Sequence, residues 1–373
     1  MKKVKTIGII SLSSGILGED FVQHEVKIGL ERLEKLGIQV KFMEHACKGL
    51  KYISEHPEDR ARDLLSAFQD DSIDMILCAI GGDDTYRLLP YLFEHDELKN
   101  AVKEKIFLGF SDTTFNHLML HKVGLNTFYG QAFLPDVCEL DEEMLPYTEK
   151  YFLELLETGT IHEITPSAVW YEERSDYSVA AIGTKRIMHA NQGFELLQGS
   201  GVFVGKILGG CIDSLYDVFD STRYSNSVEL CKRYNLFPGL DDWKGKILLL
   251  ESSEEQPTPE KYRHMIEALK NTGIFDVING ILVEKPEPTL YRKMLEALKA
   301  TGIFAVLNGV LVGKPMDELY TKEYQEILID VVNNPNLPIV WNLNVGHATP
   351  RAIVPFGVMT RVDVEKQKIS FKY

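Results

Sequence analysis

Ser111 follows the apolar run Ile106-Phe107-Leu108-Gly109-Phe110 and precedes the helical pattern TFNHLMLHKV, so it stands where a strand turns into a helix. A hydroxyl at such a turn projects from the chain. The helix N-terminus there offers amide N–H groups and a positive dipole end to a developing oxyanion. The fit to a G-x-S-x-G elbow is partial, because Gly109 stands two before the serine but Thr113 stands two after it. A serine or aspartate at this point also serves as an ordinary helix N-cap. Gly81-Gly82 follows another apolar run, DMILCAI, and glycines let backbone amides approach a ligand closely. Gly82 N–H is therefore a candidate oxyanion donor beside Asp112 N–H. An ordinary turn has the same composition, and the segment lacks the lysine of a phosphate-binding loop.

His347 lies in NLNVGHATPRA, just beyond the apolar run PIVWNL, where an imidazole would be exposed at a strand end. Glu251 ends the run KILLLE, where a carboxylate is expected only if it is paired or at the edge. Each also reads as a plain surface residue. Together with a serine they suffice for acyl transfer: the histidine takes the serine proton and returns it to the leaving amine, while the glutamate fixes its tautomer. The chain order of serine, acid and histidine is that of α/β-hydrolases.

These residues need a scaffold that gathers strand ends. The first 130 residues alternate TIGIISL, a helix near 20–36, IQVKFM, a helix near 57–69, DMILCAI and IFLGF, the pattern of βαβ units around a parallel sheet. Ligands collect at the carboxyl ends of such strands, where Gly81, Gly82 and Ser111 fall. A helix near 141–157 follows, then a less regular stretch rich in Trp, Tyr, Gly and Asn. From about 200 the runs VFVGKILGG, KILLLE, VINGILV, VLNGVLV, PIVWNL and RVDVEKQKISFKY predict a second sheet. The expected organisation is an α/β protein: a Rossmann-like parallel-sheet domain over 1–160, a linker and substrate loop over 161–205, and a mixed β/α domain over 206–373.

Composition narrows the function. A chain of 373 residues is long enough for two cores. A formal net charge of −15 argues against a nucleic-acid partner, which needs clustered Lys and Arg. The opening MKKVKTIGIISLSSG holds an apolar run shorter than a signal or membrane segment, so a cytoplasmic protein is expected. Five cysteines lie without a CxxC pair, and Cys78 and Cys211 sit in segments that read as buried, which is reducing-compartment usage without disulfides. Ten histidines include no HExxH or other metal-ligand spacing, and no cofactor is expected.

Residues 255–283 and 284–312 align without gaps at a period of 29 with 19 identities, a tandem duplication of one helix-plus-strand unit. Two units do not make a solenoid. One copy is expected in the native slot, with the other added beside it or displaced to the surface.

GGDDTYRLLPYL, GFSDTT, KILGGC, KILLLE with its following acidic pair, and NVGHATPRA occur in this order. The chain thereby resembles the LD-carboxypeptidase family of serine peptidases, and within it the microcin C self-immunity branch. The resemblance covers nearly the whole chain apart from the extra 29 residues. It implies a triad on Ser111, Glu251 and His347, an oxyanion hole from Gly82 and Asp112, a homodimer and no metal. Glu254 and Glu255 compete with Glu251 for the acid role. Gly81 and Asp83 in the GGDD segment, and Trp170 and Tyr171 in the long loop, are the implied substrate contacts, with an aromatic stacking on an adenine. A Trp-Tyr pair also reads as packing.

The implied substrate is a small-molecule or peptidyl-nucleotide amide that joins an acidic aminoacyl group to a nucleotide-like moiety. The alternatives are a murein tetrapeptide LD-carboxypeptidase and a non-catalytic small-ligand binding protein. Two departures stand out. Phe194 replaces an expected tryptophan, and the duplication lies between Glu251 and His347, where an added strand displaces its neighbour by about 4.8 Å.

Overall fold

The computed structural model describes residues 3–243, 246–251, 280–283, 310–313, 338–344 and 346–373, with a few single positions in 322–336. Strands β1 (Thr6–Ile10), β2 (Gln39–Phe42), β3 (Met75–Cys78), β4 (Ile106–Gly109) and β5 (Phe128–Tyr129) lie in the first third of the chain. Short strands follow: β6 (Glu163–Ile164), β7 (Val169–Tyr171), β8 (Met188–Ala190) and β9 (Glu195–Gln198). The remainder are β10 (Val202–Cys211), β11 (Lys246–Glu251), β12 (Gly280–Val283), β13 (Val310–Gly313), β14 (Ile339–Leu343), β15 (Val354–Pro355), β16 (Met359–Asp363) and β17 (Lys368–Lys372).

The first sheet has the order β15-β5-β4-β3-β1-β2, with β1 to β5 parallel. Strands β1, β3 and β4 are buried at every residue, as continuous apolar runs must be when helices cover both faces. The helices Gln23–Lys35, Pro57–Gln69, Thr114–Lys122 and Pro146–Thr158 match the helical segments of the sequence, the third of them buried from Thr114 to Leu120. Pro57 starts its helix where no amide partner is needed, and Gly159 closes another in a left-handed C-terminal position, its N–H reaching Leu155 O.

The second sheet has the order β6-β17-β16-β10-β11-β12-β13-β14-β9, with a parallel centre from β10 to β14 and antiparallel flanks. The strands of the two repeat copies are neighbours in it. Ile281 pairs with Val310, Leu282 with Leu311 and Val283 with Val312, each joined to its own counterpart in the other copy. The second copy thus enters the sheet beside the first. The rest of the repeat lies outside the described residues.

Two features depart from the sequence reading. The irregular stretch contains β6 to β9, of which β6 and β9 close the two edges of the second sheet. More consequentially, β15 leaves the second sheet's part of the chain and joins the first sheet beside β5, Val354 opposite Tyr129 and Pro355 opposite Phe128. Pro355 is tolerated there because β15 is an edge strand.

Candidate active site

Ser111 sits at φ 62°, in the left-handed region that costs a non-glycine residue on the order of 1–2 kcal/mol. Strand β4 and the helix Thr114–Lys122 hold it there. The Ser111 N–H donates to Tyr129 Oη at 3.1 Å, Thr113 Oγ1 donates to Phe110 O at 2.8 Å, and Thr114 Oγ1 donates to Ser111 O at 2.7 Å. Neither Ser111 nor Asp112 caps the helix with its side chain, so the ordinary N-cap is not what this turn is for. A strained serine at a strand-to-helix turn is also the geometry that a nucleophile elbow has, here without the second glycine of that pattern.

The Asp112 side chain points away from the opening and is buried. Its Oδ2 accepts Ser13 Oγ at 2.5 Å, Thr85 Oγ1 at 2.5 Å and Thr85 N–H at 3.2 Å. Burial pushes its carboxyl up to about 6, against the pull of the Ser13 and Thr85 hydrogen bonds. This carboxylate ties the ends of β1 and β4 to the loop after β3. In that loop Gly82 has φ 143°, and a Cβ on it would stand 2.7 Å from Ser14 Cβ. Asp84 accepts from Arg60 at 2.7 Å and Arg87 at 2.8 Å, holding the loop from beneath.

A cleft of about 300 Å³ opens over these strand ends, lined by Ser14, Ile80, Gly81, Gly82, Phe110, Ser111, Pro135, Glu173, His347 and Arg351. Of the residues singled out in the sequence, Ser111, His347, Gly81 and Gly82 therefore share one cavity. The His347 ring meets the Phe110 ring edge-on at 5.3 Å and 67°. Glu251 is the last residue of β11, paired with Cys211 of β10; its side chain, like Glu254 and Glu255, lies outside the described residues.

Three expected substrate contacts do not line the cleft. Asp83 is engaged by Arg223 and by Tyr224 Oη, the latter at 2.8 Å. Trp170 is buried, and one of its faces stacks on the His189 ring at 4.3 Å and 19°, the packing alternative for this residue. Tyr171 belongs to the wall behind the histidine: its N–H donates to Thr349 O at 3.0 Å, and Thr349 Oγ1 donates to its carbonyl at 3.2 Å. Phe194, the departure from tryptophan, is buried, with its carbonyl accepting from Gln367 Nε2 at 2.6 Å.

The residues that sequence reasoning missed are Ser13, Ser14, Thr85, Phe110, Pro135, Glu173 and Arg351. Ser13 and Ser14 follow β1, so the rule that ligands gather at strand ends would have found them. Arg351 stands inside the quoted segment NVGHATPRA. Among the described residues, His56, Glu58 and Asp59 form the one group of three with metal-ligand reach, and none of them lines the cleft.

Residues 7–130 match the LD-carboxypeptidase N-terminal domain, and residues 204–288 and 282–362 match the LD-carboxypeptidase C-terminal domain. The chain belongs to the LD-carboxypeptidase family. The two C-terminal stretches meet where one repeat copy ends and the next begins. Among solved structures, an MccF-like protein from Streptococcus pneumoniae in complex with AMP is 60% identical, with 99% of each chain covered and a TM-score of 0.86. The microcin C7 self-immunity protein MccF of Escherichia coli is 24% identical over 92% of this chain and 86% of its own. A Bacillus subtilis family member named "Probable murein peptide carboxypeptidase" is 24% identical over 90% and 83%. This LD-carboxypeptidase family chain thus has relatives in both the immunity and the murein branches.

Proposed function

We propose that the chain is a serine hydrolase that cleaves the amide between an acidic aminoacyl group and a nucleotide-like moiety. The observation that carries the reading is the strained Ser111, which shares one cleft with His347 and Gly82. Ser111 Oγ attacks the amide carbonyl as His347 takes its proton. The oxyanion of the tetrahedral intermediate forms facing the N–H groups of Gly82 and Asp112, and collapse expels the amine, which receives the proton from His347. Water then releases the acyl group by the reverse sequence. Glu251 at the end of β11 is the candidate that holds the imidazole, with Glu254 and Glu255 as competitors.

The nucleotide-like half of the substrate is supported by the 60% identical MccF-like protein, which was crystallised with AMP. The murein reading, release of a terminal D-amino acid from a tetrapeptide, has the support of the murein carboxypeptidase relative. From the family resemblance, the same proposal takes the chain as a cytoplasmic homodimer working without metal or cofactor. Among the described residues no helix is long and apolar enough to cross a membrane.

The test is hydrolysis of aspartyl sulfamoyl adenosine beside a murein tetrapeptide, with Ser111→Ala as control. Turnover of the nucleotide lost in the variant is expected. Turnover of the tetrapeptide alone transfers the chain to the murein reading, and ligand binding without turnover of either makes it a binding protein.

A further inference from the structure

His347 belongs to a chain segment that starts in the second sheet and ends in the first. It leaves β14, crosses the cleft, and enters the first sheet as β15 beside β5. Arg351 stands between His347 and β15 and is buried, at 5% exposure. Its Nη1 donates to both carboxylate oxygens of Asp136, at 3.1 and 3.2 Å, and its Nη2 donates to the carbonyl of His347 at 3.2 Å. Its guanidinium lies 4.8 Å from the centre of the Phe110 ring, the same ring that meets His347 edge-on. The Arg351 backbone is held as well: Gln131 Nε2 donates to its carbonyl at 3.1 Å, and its N–H donates to Thr148 Oγ1 at 3.4 Å. Asp136, Gln131, Thr148 and Phe110 all come from the part of the chain that builds the first sheet.

We propose that the buried Arg351–Asp136 pair is a positioning clasp that registers the His347 loop against the Ser111 strand end. Three of its contacts converge on that relation: the bond to the His347 carbonyl, the stack on the residue before Ser111, and the anchor in Asp136. The consequence concerns the repeat. Strands β12 and β13 widen the second sheet between β11 and β14, and a histidine placed by that sheet would move with them. The clasp places it from the first sheet, whereas the described strands of the repeat, β12 and β13, lie in the second.

A buried ion pair is a poor stabiliser, since two charges must be desolvated to make it. Apolar residues of similar volume replace such pairs with little loss of fold, which separates a positioning role from a structural one. The inference rests on Ser111 and His347 acting as nucleophile and base, so its readout is the rate at which a fluorophosphonate phosphonylates Ser111, the serine oxygen displacing fluoride from phosphorus, with Ser111→Ala as the blank, alongside kcat and KM.

The variants are Arg351→Lys and the double replacement Asp136→Leu/Arg351→Met, each in the full chain. Lysine keeps the charge but loses the flat stack and the forked donors. Both variants should melt near the parent, be phosphonylated on the order of 10²-fold more slowly, and lose kcat with KM little changed, as a displaced base requires. Parental labelling in a folded double variant overturns the clasp. A parent that is not labelled above the Ser111→Ala blank overturns the reading of the serine instead, and with it the clasp.

Discussion

The backbone of Gly81 lies so close to Ser111 that a Cβ there would stand 2.7 Å from the serine Cβ and 2.9 Å from its Oγ. The Ser111 side chain therefore occupies the space that a side chain at 81 would take. Gly81→Ala should push the hydroxyl off its line to the substrate, lowering kcat by roughly 10²-fold with the fold intact, because errors of about 1 Å cost that much. Rates of hydrolysis and of fluorophosphonate labelling, read beside a melting curve, check this. Parental rates would mean that the serine hydroxyl has another rotamer open to it.

Asp112 is a pH-dependent element of the same turn. Its carboxyl is raised from an ordinary 3.8 to about 6 by burial. The sign follows: the folded state holds this proton more tightly, so the group favours folding below pH 3.8 and that contribution is lost as pH rises through about 6. Asp112→Asn removes the titration while keeping an acceptor for Ser13 and Thr85. The stability of the variant relative to the parent should rise between pH 4 and pH 7, by up to about 3 kcal/mol. Denaturant melts at the two pH values measure it, and a pH-independent difference would show that burial does not penalise the ionised form.

Much of this turn was legible in the sequence and part was not. IFLGF followed by a helical pattern located Ser111, and DMILCAI located Gly81 and Gly82, because buried parallel strands are continuous apolar runs with ligand sites at their ends. His347 was found the same way. Trp170 could be read either way, because an indole on a loop has the same composition whether it faces a ligand or stacks on a neighbour, as it does here on His189. Asp136 and Arg351 were illegible as a pair. They lie far apart in the chain, and nothing in Val354-Pro355 announces a strand that pairs in the other sheet. The partner of an edge strand is set by tertiary closure, which local patterning does not encode.

His117 makes the site's floor sensitive to acid. Its ring is fully buried between Thr127 Oγ1, at 2.7 Å, and the carbonyl of Gly109, at 3.2 Å, and burial lowers its pKa from 6.5 to about 3. A base held neutral in the folded state stabilises above its unfolded pKa, and that stability is lost as pH falls. Between pH 6.5 and pH 4 the parent should lose about 1.4 kcal/mol per pH unit more than His117→Gln. Equal slopes in the two proteins would show that the ring is protonated, or solvated, as folded.

The acid of the proposed triad is open to a direct comparison. Glu251 ends β11 beside Cys211 of β10, a strand end of the kind that supplies catalytic groups, whereas Glu254 and Glu255 lie further along the chain. Glu251→Gln should reduce kcat by roughly 10³- to 10⁴-fold, as loss of the orienting carboxylate does elsewhere, while Glu254→Gln and Glu255→Gln stay within a few-fold of the parent. A large loss in either neighbour, with Glu251→Gln active, would move the role along the chain.

The duplication supplies the last test. Removing residues 284–312 leaves one copy of the unit and one strand fewer between β11 and β14, narrowing that gap by about 4.8 Å. If the first sheet fixes His347, the fluorophosphonate labelling of Ser111 should survive the deletion, since Ser111, Phe110, Asp136 and Arg351 are untouched. What the strand count can alter is the distance from Glu251 to the histidine, and so the kcat for a substrate that needs the orienting acid. The shortened chain should therefore label as fast as the parent and turn over substrate at least as well. Labelling that appears only in the shortened chain would mean that the extra strand displaces the histidine itself, and that the second sheet, not the first, sets its place.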